Sequence, residues 1–192
     1  MRIISGKRRG YKLISPDGLS TRPTTDRVKE SVFNIIQTRF PCALVLDLFA
    51  GSGALGIEAL SRGAETAVFV DSSGASVDII KKNLKGSGLG DSGLVFKEDS
   101  FKFLKRLRDP EFSPFAENGR QFCGFDIIFL DPPYNKGLVN KAAAEIDRLE
   151  LLAEHGIIVA ETEFGGESVS GDDFNIVKKA KYGKTLITVI KR

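Results

Sequence analysis

The chain has 192 residues, 42% of them hydrophobic, with a formal net charge of +3, two cysteines, one histidine and no tryptophan. That length allows one good α/β core and little beyond it; no run approaches the roughly 18 apolar residues of a membrane-spanning helix, and the polar start Met1-Arg2-Ile3-Ile4-Ser5 argues against a signal peptide. Cys42 and Cys123 stand alone beside apolar segments, without a CxxC pair or a His cluster, so they predict buried free thiols in a reducing cytoplasm rather than a disulfide framework or a metal site.

The first predicted element is a pair of short strands, residues 2–5 and 11–14, around the glycine-flanked basic turn Gly6-Lys7-Arg8-Arg9-Gly10. Residues 1–20 thus read as a basic N-terminal β-hairpin extension, and residues 21–192 as the main domain. Residues 1–40 hold nine basic side chains against three acidic ones, a charge of +6, which leaves 19 basic and 22 acidic, or −3, for the rest. A basic arm on a mildly acidic body points to a nucleic-acid partner, since phosphate neutralisation supplies much of the affinity for one, the alternative being a solvated basic hairpin tip. Lys7, Arg8 and Arg9 at the tip, with Arg22 and Arg27, are the candidate RNA-binding residues. A helix follows a Thr/Asp cap near residues 24–26, its stripe formed by Val28, Val32, Phe33, Ile35 and Ile36.

From residue 44 strand and helix alternate as in a parallel sheet, with strands predicted at 44–49, 66–71, 93–97, 125–130 and 156–161 and helices at 53–62, 74–86, 99–108 and 137–152. The first strand runs into Gly51-x-Gly53-x-x-Gly56, a turn that lets backbone N–H groups approach a nucleotide-like ligand. The glycines alone also fit a dinucleotide fingerprint. Asp47 separates the two readings, because a carboxylate there repels a pyrophosphate and suits the sulfonium and ammonium of S-adenosylmethionine. Phe49 lies between Asp47 and the turn and joins the cofactor set. Asp71 ends the second strand, placed to accept ribose hydroxyls or to cap the next helix. Asp99, after the third strand, can meet the adenine amine or cap its own helix, with Glu98 as a competitor.

The fourth strand ends in Asp131-Pro132-Pro133-Tyr134. Two prolines remove backbone donors and stiffen the chain, so the Pro132 carbonyl projects as a fixed acceptor. Asp131 and that carbonyl can take both hydrogens of a purine amine and direct its lone pair at a sulfonium methyl, while Tyr134 stacks on the base. The four residues form the candidate catalytic set. The loop at 109–124 carries Phe112, Phe115 and Phe122 as a lid or an irregularity, His155 reads as a helix C-terminal cap, and the end of the chain reads as a hairpin turning at Gly183.

Met1-Arg-Ile-Ile-Ser-Gly, Arg22-Pro-Thr-Thr-Asp-Arg-Val-Lys-Glu-Ser-Val-Phe-Asn, Leu46-Asp-Leu-Phe-Ala-Gly-Ser-Gly-Ala-Leu-Gly, Asp131-Pro-Pro-Tyr and Tyr182-Gly-Lys-Thr resemble the RsmD-like family of 16S ribosomal RNA guanine-N2 methyltransferases over nearly the whole chain. The resemblance implies a Rossmann-like class I methyltransferase fold, a seven-stranded mostly parallel sheet with a reversed last strand. It also implies S-adenosylmethionine as donor and the N2 amine of one guanine in small-subunit ribosomal RNA as acceptor, within naked RNA or an assembling subunit. Asp47, Gly51, Gly53, Asp71 and Asp99 match its cofactor positions and Asp131 to Tyr134 its catalytic one, with Asp71 standing where Glu is expected. The expected protein is a cytoplasmic monomer without metal or membrane partner. The same four-residue motif serves enzymes acting on adenine and cytosine amines, so a DNA adenine-N6 methyltransferase is one alternative, although the chain has no room for a sizeable target-recognition segment. A noncatalytic RNA-binding assembly factor is the other, and the intact Asp131-Pro-Pro-Tyr134 argues against it.

Overall fold

The computed structural model describes residues 1–15, 26–41, 43–112, 114–115, 122–133, 137–166, 169 and 174–192. Cys42, Arg22, Tyr134 and the proposed cap residues 24 and 25 lie outside them. Helix α1 (Asp26–Ile35) leads to strand β1 (Leu44–Asp47), and alternation continues through α2 (Ala54–Ser61), β2 (Thr66–Asp71), α3 (Gly74–Ser87), β3 (Gly93–Lys97), α4 (Ser100–Arg106), β4 (Phe125–Leu130), α5 (Leu138–Arg148) and β5 (Leu152–Glu163). Strands β6 (Asn175–Tyr182) and β7 (Thr185–Lys191) close the chain as a hairpin turning at Gly183. The seven strands form one sheet in the order β3-β2-β1-β4-β5-β7-β6. Pairings among β1 to β5 are parallel, and β7 runs antiparallel between β5 and β6. The reversed last strand expected from the sequence is therefore present.

Central strands are apolar on both faces because helices cover both faces, as a parallel sheet requires. Ile57, Phe69, Phe129 and Ile187 join α1, α2 and α3 in one cluster, while Val68, Phe103, Ile128 and Ile146 join α4 and α5 in the other. The loop aromatics belong to this second layer. Phe115 is buried and stacks on Phe122 with centroids 5.4 Å apart, and Phe112 meets Phe96 and Phe103 edge-on. All three rings pack on this layer.

Four local expectations are corrected. The two N-terminal arms pair through one isolated bridge, Arg2 with Lys12, supported by Ile3 N–H to the Tyr11 carbonyl at 2.9 Å and Leu13 N–H to the Met1 carbonyl at 3.0 Å. Pairing stops there because Ile3 and Leu13 turn into the core beside α2 and α3 instead of extending a free ribbon. Helix α5 ends at Arg148, not near residue 152: Glu150 adopts φ +49° and the Leu151 N–H closes on the Ile146 carbonyl, which frees Leu152 to begin β5. His155 accordingly lies exposed in β5, where its carbonyl accepts from Arg39, and caps no helix. Cys123, expected to be buried, is exposed, just ahead of Gly124 where the chain turns into β4.

Candidate active site

In an open parallel sheet the ligand crevice forms at the carboxyl ends of the strands, where the strand order reverses. Here that point lies between β1 and β4, and the sequence places an acid at each strand end around it. Asp47 closes β1, Asp71 closes β2, Asp99 follows β3 by two residues, and Asp131 follows β4 by one. Register aligns Asp47 with Phe69 on one side and Phe129 on the other. Asp131 is therefore two residues further along the strand next to Asp47.

The glycine turn is built around the first two acids. Gly51 and Gly53 have φ of +55° and +76°, a region that disfavours a side chain, and Gly53 opens α2. The Gly51 N–H donates to Asp71 Oδ2 at 2.8 Å and the Gly56 N–H to Asp47 Oδ2 at 3.0 Å. Gly56 serves packing instead: a Cβ there would overlap the Phe69 ring, so α2 lies close on β2 only because none is present.

Asp47 is 2% exposed. Burial pushes its carboxyl up to about 7, the Asp71 carboxylate adds to the rise, and the Gly56 N–H opposes it. A buried acid held at the edge of ionisation is suited to a cationic ligand, whose charge would complete its deprotonation. Asp71 is half-buried and takes one N–H on each oxygen, from Gly51 and from Ser73 at 2.8 Å. Each oxygen keeps a second acceptor position for a hydroxyl. It does not cap α3, which Ser73 does by accepting the Ser76 N–H. Asp99 does cap its helix, with Oδ1 taking the Phe101 and Lys102 N–H groups at 3.1 and 3.0 Å. Glu98 is committed to an ion pair with Arg106 and so does not compete with Asp99.

Phe49 is half-buried against the second cluster, Asp131 is half-buried, Pro132 is buried and Pro133 is exposed. Arg27 stands in the first turn of α1, exposed. The hairpin tip is elsewhere. Lys7 N–H donates to the Ser61 carbonyl at 2.7 Å, Arg8 N–H to Ser61 Oγ at 3.0 Å, and the Arg8 guanidinium reaches the Gly88 carbonyl at 3.4 Å. Lys7, Arg8 and Arg9 thus stand exposed at the C-terminal ends of α2 and α3, the end of the sheet opposite the acids. Among the described residues no cluster of three His, Cys, Asp or Glu could hold a metal, and no helix is long and apolar enough to cross a membrane.

One residue of the site escaped the sequence reading. Asn83 is buried on α3, donates to the Ser52 carbonyl of the glycine turn and to the Ile14 carbonyl, each at 2.9 Å, and accepts from Ile14 N–H at 2.8 Å. It ties the N-terminal arm to the turn. Its signal is a polar side chain at an apolar position, three residues after the buried Ile80.

A family model described as "Conserved hypothetical protein 95" matches residues 1–191. The ribosomal RNA small subunit methyltransferase D of Escherichia coli is 36% identical over 163 residues, 85% of this chain and 75% of that protein. The chain belongs to this RsmD family. Its namesake in Haemophilus influenzae is 33% identical over 95% of this chain and 89% of its own length, and the Bacillus subtilis protein YlbH is 40% identical over 100% and 99%. Among solved structures, the yhhF protein of Escherichia coli superposes with a TM-score of 0.82 at 30% identity, covering 100% of this chain and 97% of its own. An RNA methyltransferase of Salinibacter ruber, solved with S-adenosyl-L-homocysteine, shares the fold at TM-score 0.62 and 16% identity, over 88% and 92% of the two chains. The fold is that of the class I methyltransferases.

Proposed function

We propose that this chain methylates the exocyclic N2 amine of a guanine in bacterial small-subunit ribosomal RNA, with S-adenosylmethionine as donor. The observation that carries the reading is the row of acids on adjacent strand ends, Asp71, Asp47 and Asp131, around a glycine turn. The membership of the RsmD family supplies the acceptor class. The residues present fit the donor: Asp47 faces a cation, Asp71 offers acceptors to a ribose, and Asp99 has an oxygen beyond its capping bonds for an amine. The donor, when bound, supplies an electrophilic methyl group.

Everything else falls to the chain. Asp131 and the Pro132 carbonyl accept the two amine hydrogens, which stops the nitrogen lone pair from delocalising into the ring and directs it toward the methyl. Tyr134 stacks on the base in this reading. A tuned general base is unnecessary, because the methylated nitrogen is acidic enough to release its proton afterwards. The acids at the mouth disfavour a pyrophosphate, which weighs against dinucleotide chemistry.

The test uses assembling small subunits and naked 16S RNA from a strain lacking the protein, with labelled donor and modified-nucleoside analysis. Label in N2-methylguanine is expected. Label in methyladenine, or none in either substrate, overturns the reading. Within the same assay Asp131→Ala is expected to abolish single-turnover transfer while donor affinity, measured by calorimetry, changes little; a retained rate removes Asp131 from its orienting role.

A further inference from the structure

The molecule carries a second basic surface, on the helix side of β3. Between α3 and β3 runs an open groove of about 430 Å3, floored by Leu84 and Val95, edged by Lys81, Lys85 and Asp91, and ending at Gly88. Lys81 and Lys85 are exposed and one helical turn apart on the same face of α3. Arg8 closes the far end, its guanidinium against the Gly88 carbonyl. The groove is thus continuous with the tip bearing Lys7, Arg8 and Arg9. Asp91 is the opposing charge in the lining, and Asp78, one turn before Lys81, is another on the helix. Three cations still outweigh them.

We infer that this groove is a docking site for the sugar-phosphate backbone of an RNA stem that flanks the methylated base. The inference rests on the ribosomal RNA reading above and adds to it where the rest of the substrate lies. Charge complementarity selects a polyanion. Among the described residues no aromatic ring lines the groove, so it offers unstacked bases nothing to stack on, whereas an A-form stem is held through its backbone. Position selects the flank. Helix α3 starts three residues after Asp71 and is 14 residues long, about 21 Å, which puts Lys81 and Lys85 about 10 and 16 Å from its first residue. An RNA that presents its base at Asp131 and also reaches Lys85 must be folded and larger than a short oligonucleotide.

The experiment compares the full chain with Lys81→Gln/Lys85→Gln for binding of a small-subunit ribosomal RNA transcript across a salt series, with donor affinity as the control. The double variant is expected to bind RNA about tenfold more weakly near 0.1 M salt, to lose about one to two from its log–log salt slope, and to keep its donor affinity. Asp91→Lys, in the same groove, is expected to strengthen RNA binding. An unchanged slope and affinity in the double variant, beside a steep wild-type slope, overturns the docking site and leaves the proposed reaction standing. Displacement by unstructured single strands as effective as by duplex RNA overturns the assignment to a stem. A wild-type chain that binds no RNA overturns both this site and the ribosomal RNA reading.

Discussion

Asp47 shows what one residue's surroundings do to its chemistry. Its folded-state value of about 7 lies above the ordinary carboxylate value of 3.8, so the folded chain holds this proton more tightly than the unfolded one. The resulting stabilisation is fully present below about pH 4 and is lost as pH rises through 7. Asp47→Asn removes that dependence. Urea unfolding at pH 5 and 8 is expected to show the wild type losing on the order of 2–4 kcal/mol more than the variant over that interval. Donor binding has the opposite sign, because a cation favours the ionised carboxylate: wild-type affinity is expected to rise through pH 7 with proton release, and Asp47→Asn to be weaker and flat across the same range in calorimetry. Equal pH profiles for both chains would sink the assignment. At this scale the sequence was legible in position, as with Asp47, which stands at a strand end beside the glycine turn. It was ambiguous for Asp71 and Asp99, since a capping acid and a ligand acid look alike in one dimension; the structure shows Ser73, not Asp71, capping α3, and Asp99 capping α4.

The elements that periodicity defined well are those with a single apolar stripe and a clear breaker. Helices α2 and α3 and strands β2 to β4 stand within a residue or two of their predicted bounds. The end of α5 was not legible, because Leu149, Leu151 and Leu152 continue a helical pattern and the turn at Glu150 carries no glycine. Nor was the anchoring of the N-terminal arm. Glu58 is fully buried on α2 and accepts from the Ile4 and Ser5 N–H groups at 2.7 and 3.0 Å, from Arg62 at 2.8 Å and from the equally buried Lys29 at 3.2 Å. Lys29 in turn donates to the Arg2 carbonyl. Burial lowers its ammonium from the ordinary lysine range, and Glu58 opposes that shift. In the sequence Lys29 and Glu58 are merely charged residues on two helices. Together they form a buried knot joining the arm, α1 and α2. Glu58→Ala leaves a buried cation and two backbone donors without their acceptor, so a loss on the order of 3–5 kcal/mol is expected. Chemical denaturation measures it, and amide exchange of residues 1–14 should accelerate beyond that of β4; uniform exchange with less than about 1 kcal/mol lost would mean the arm is held by Ile3 and Leu13 alone.

Over the whole molecule the distribution of charge has a geometry that composition alone does not reveal. Within the +6 of residues 1–40, the exposed Lys7, Arg8 and Arg9 stand at the C-terminal ends of α2 and α3, at the other end of the strand direction from the acids at the carboxyl ends of the strands. Two forces favour cations at that tip. Helix C-termini present unpaired carbonyls and a partial negative charge, which Lys7 and Arg8 can satisfy without any partner. A ribosomal RNA extending from the acceptor cleft along the body would meet the same side chains with its phosphates. Salt dependence separates these effects, because only displaced counterions give a slope. Replacing Lys7, Arg8 and Arg9 together by Ala is expected to weaken RNA binding and reduce the log–log slope by at most about two to three, roughly one unit for each phosphate no longer neutralised, while donor affinity stays unchanged. Should the slope hold while only stability falls, the tip is a helix-capping device, and the phosphates are met instead by the groove at Lys81 and Lys85, by Arg27 or by the basic strand carrying Lys178, Lys179 and Lys181.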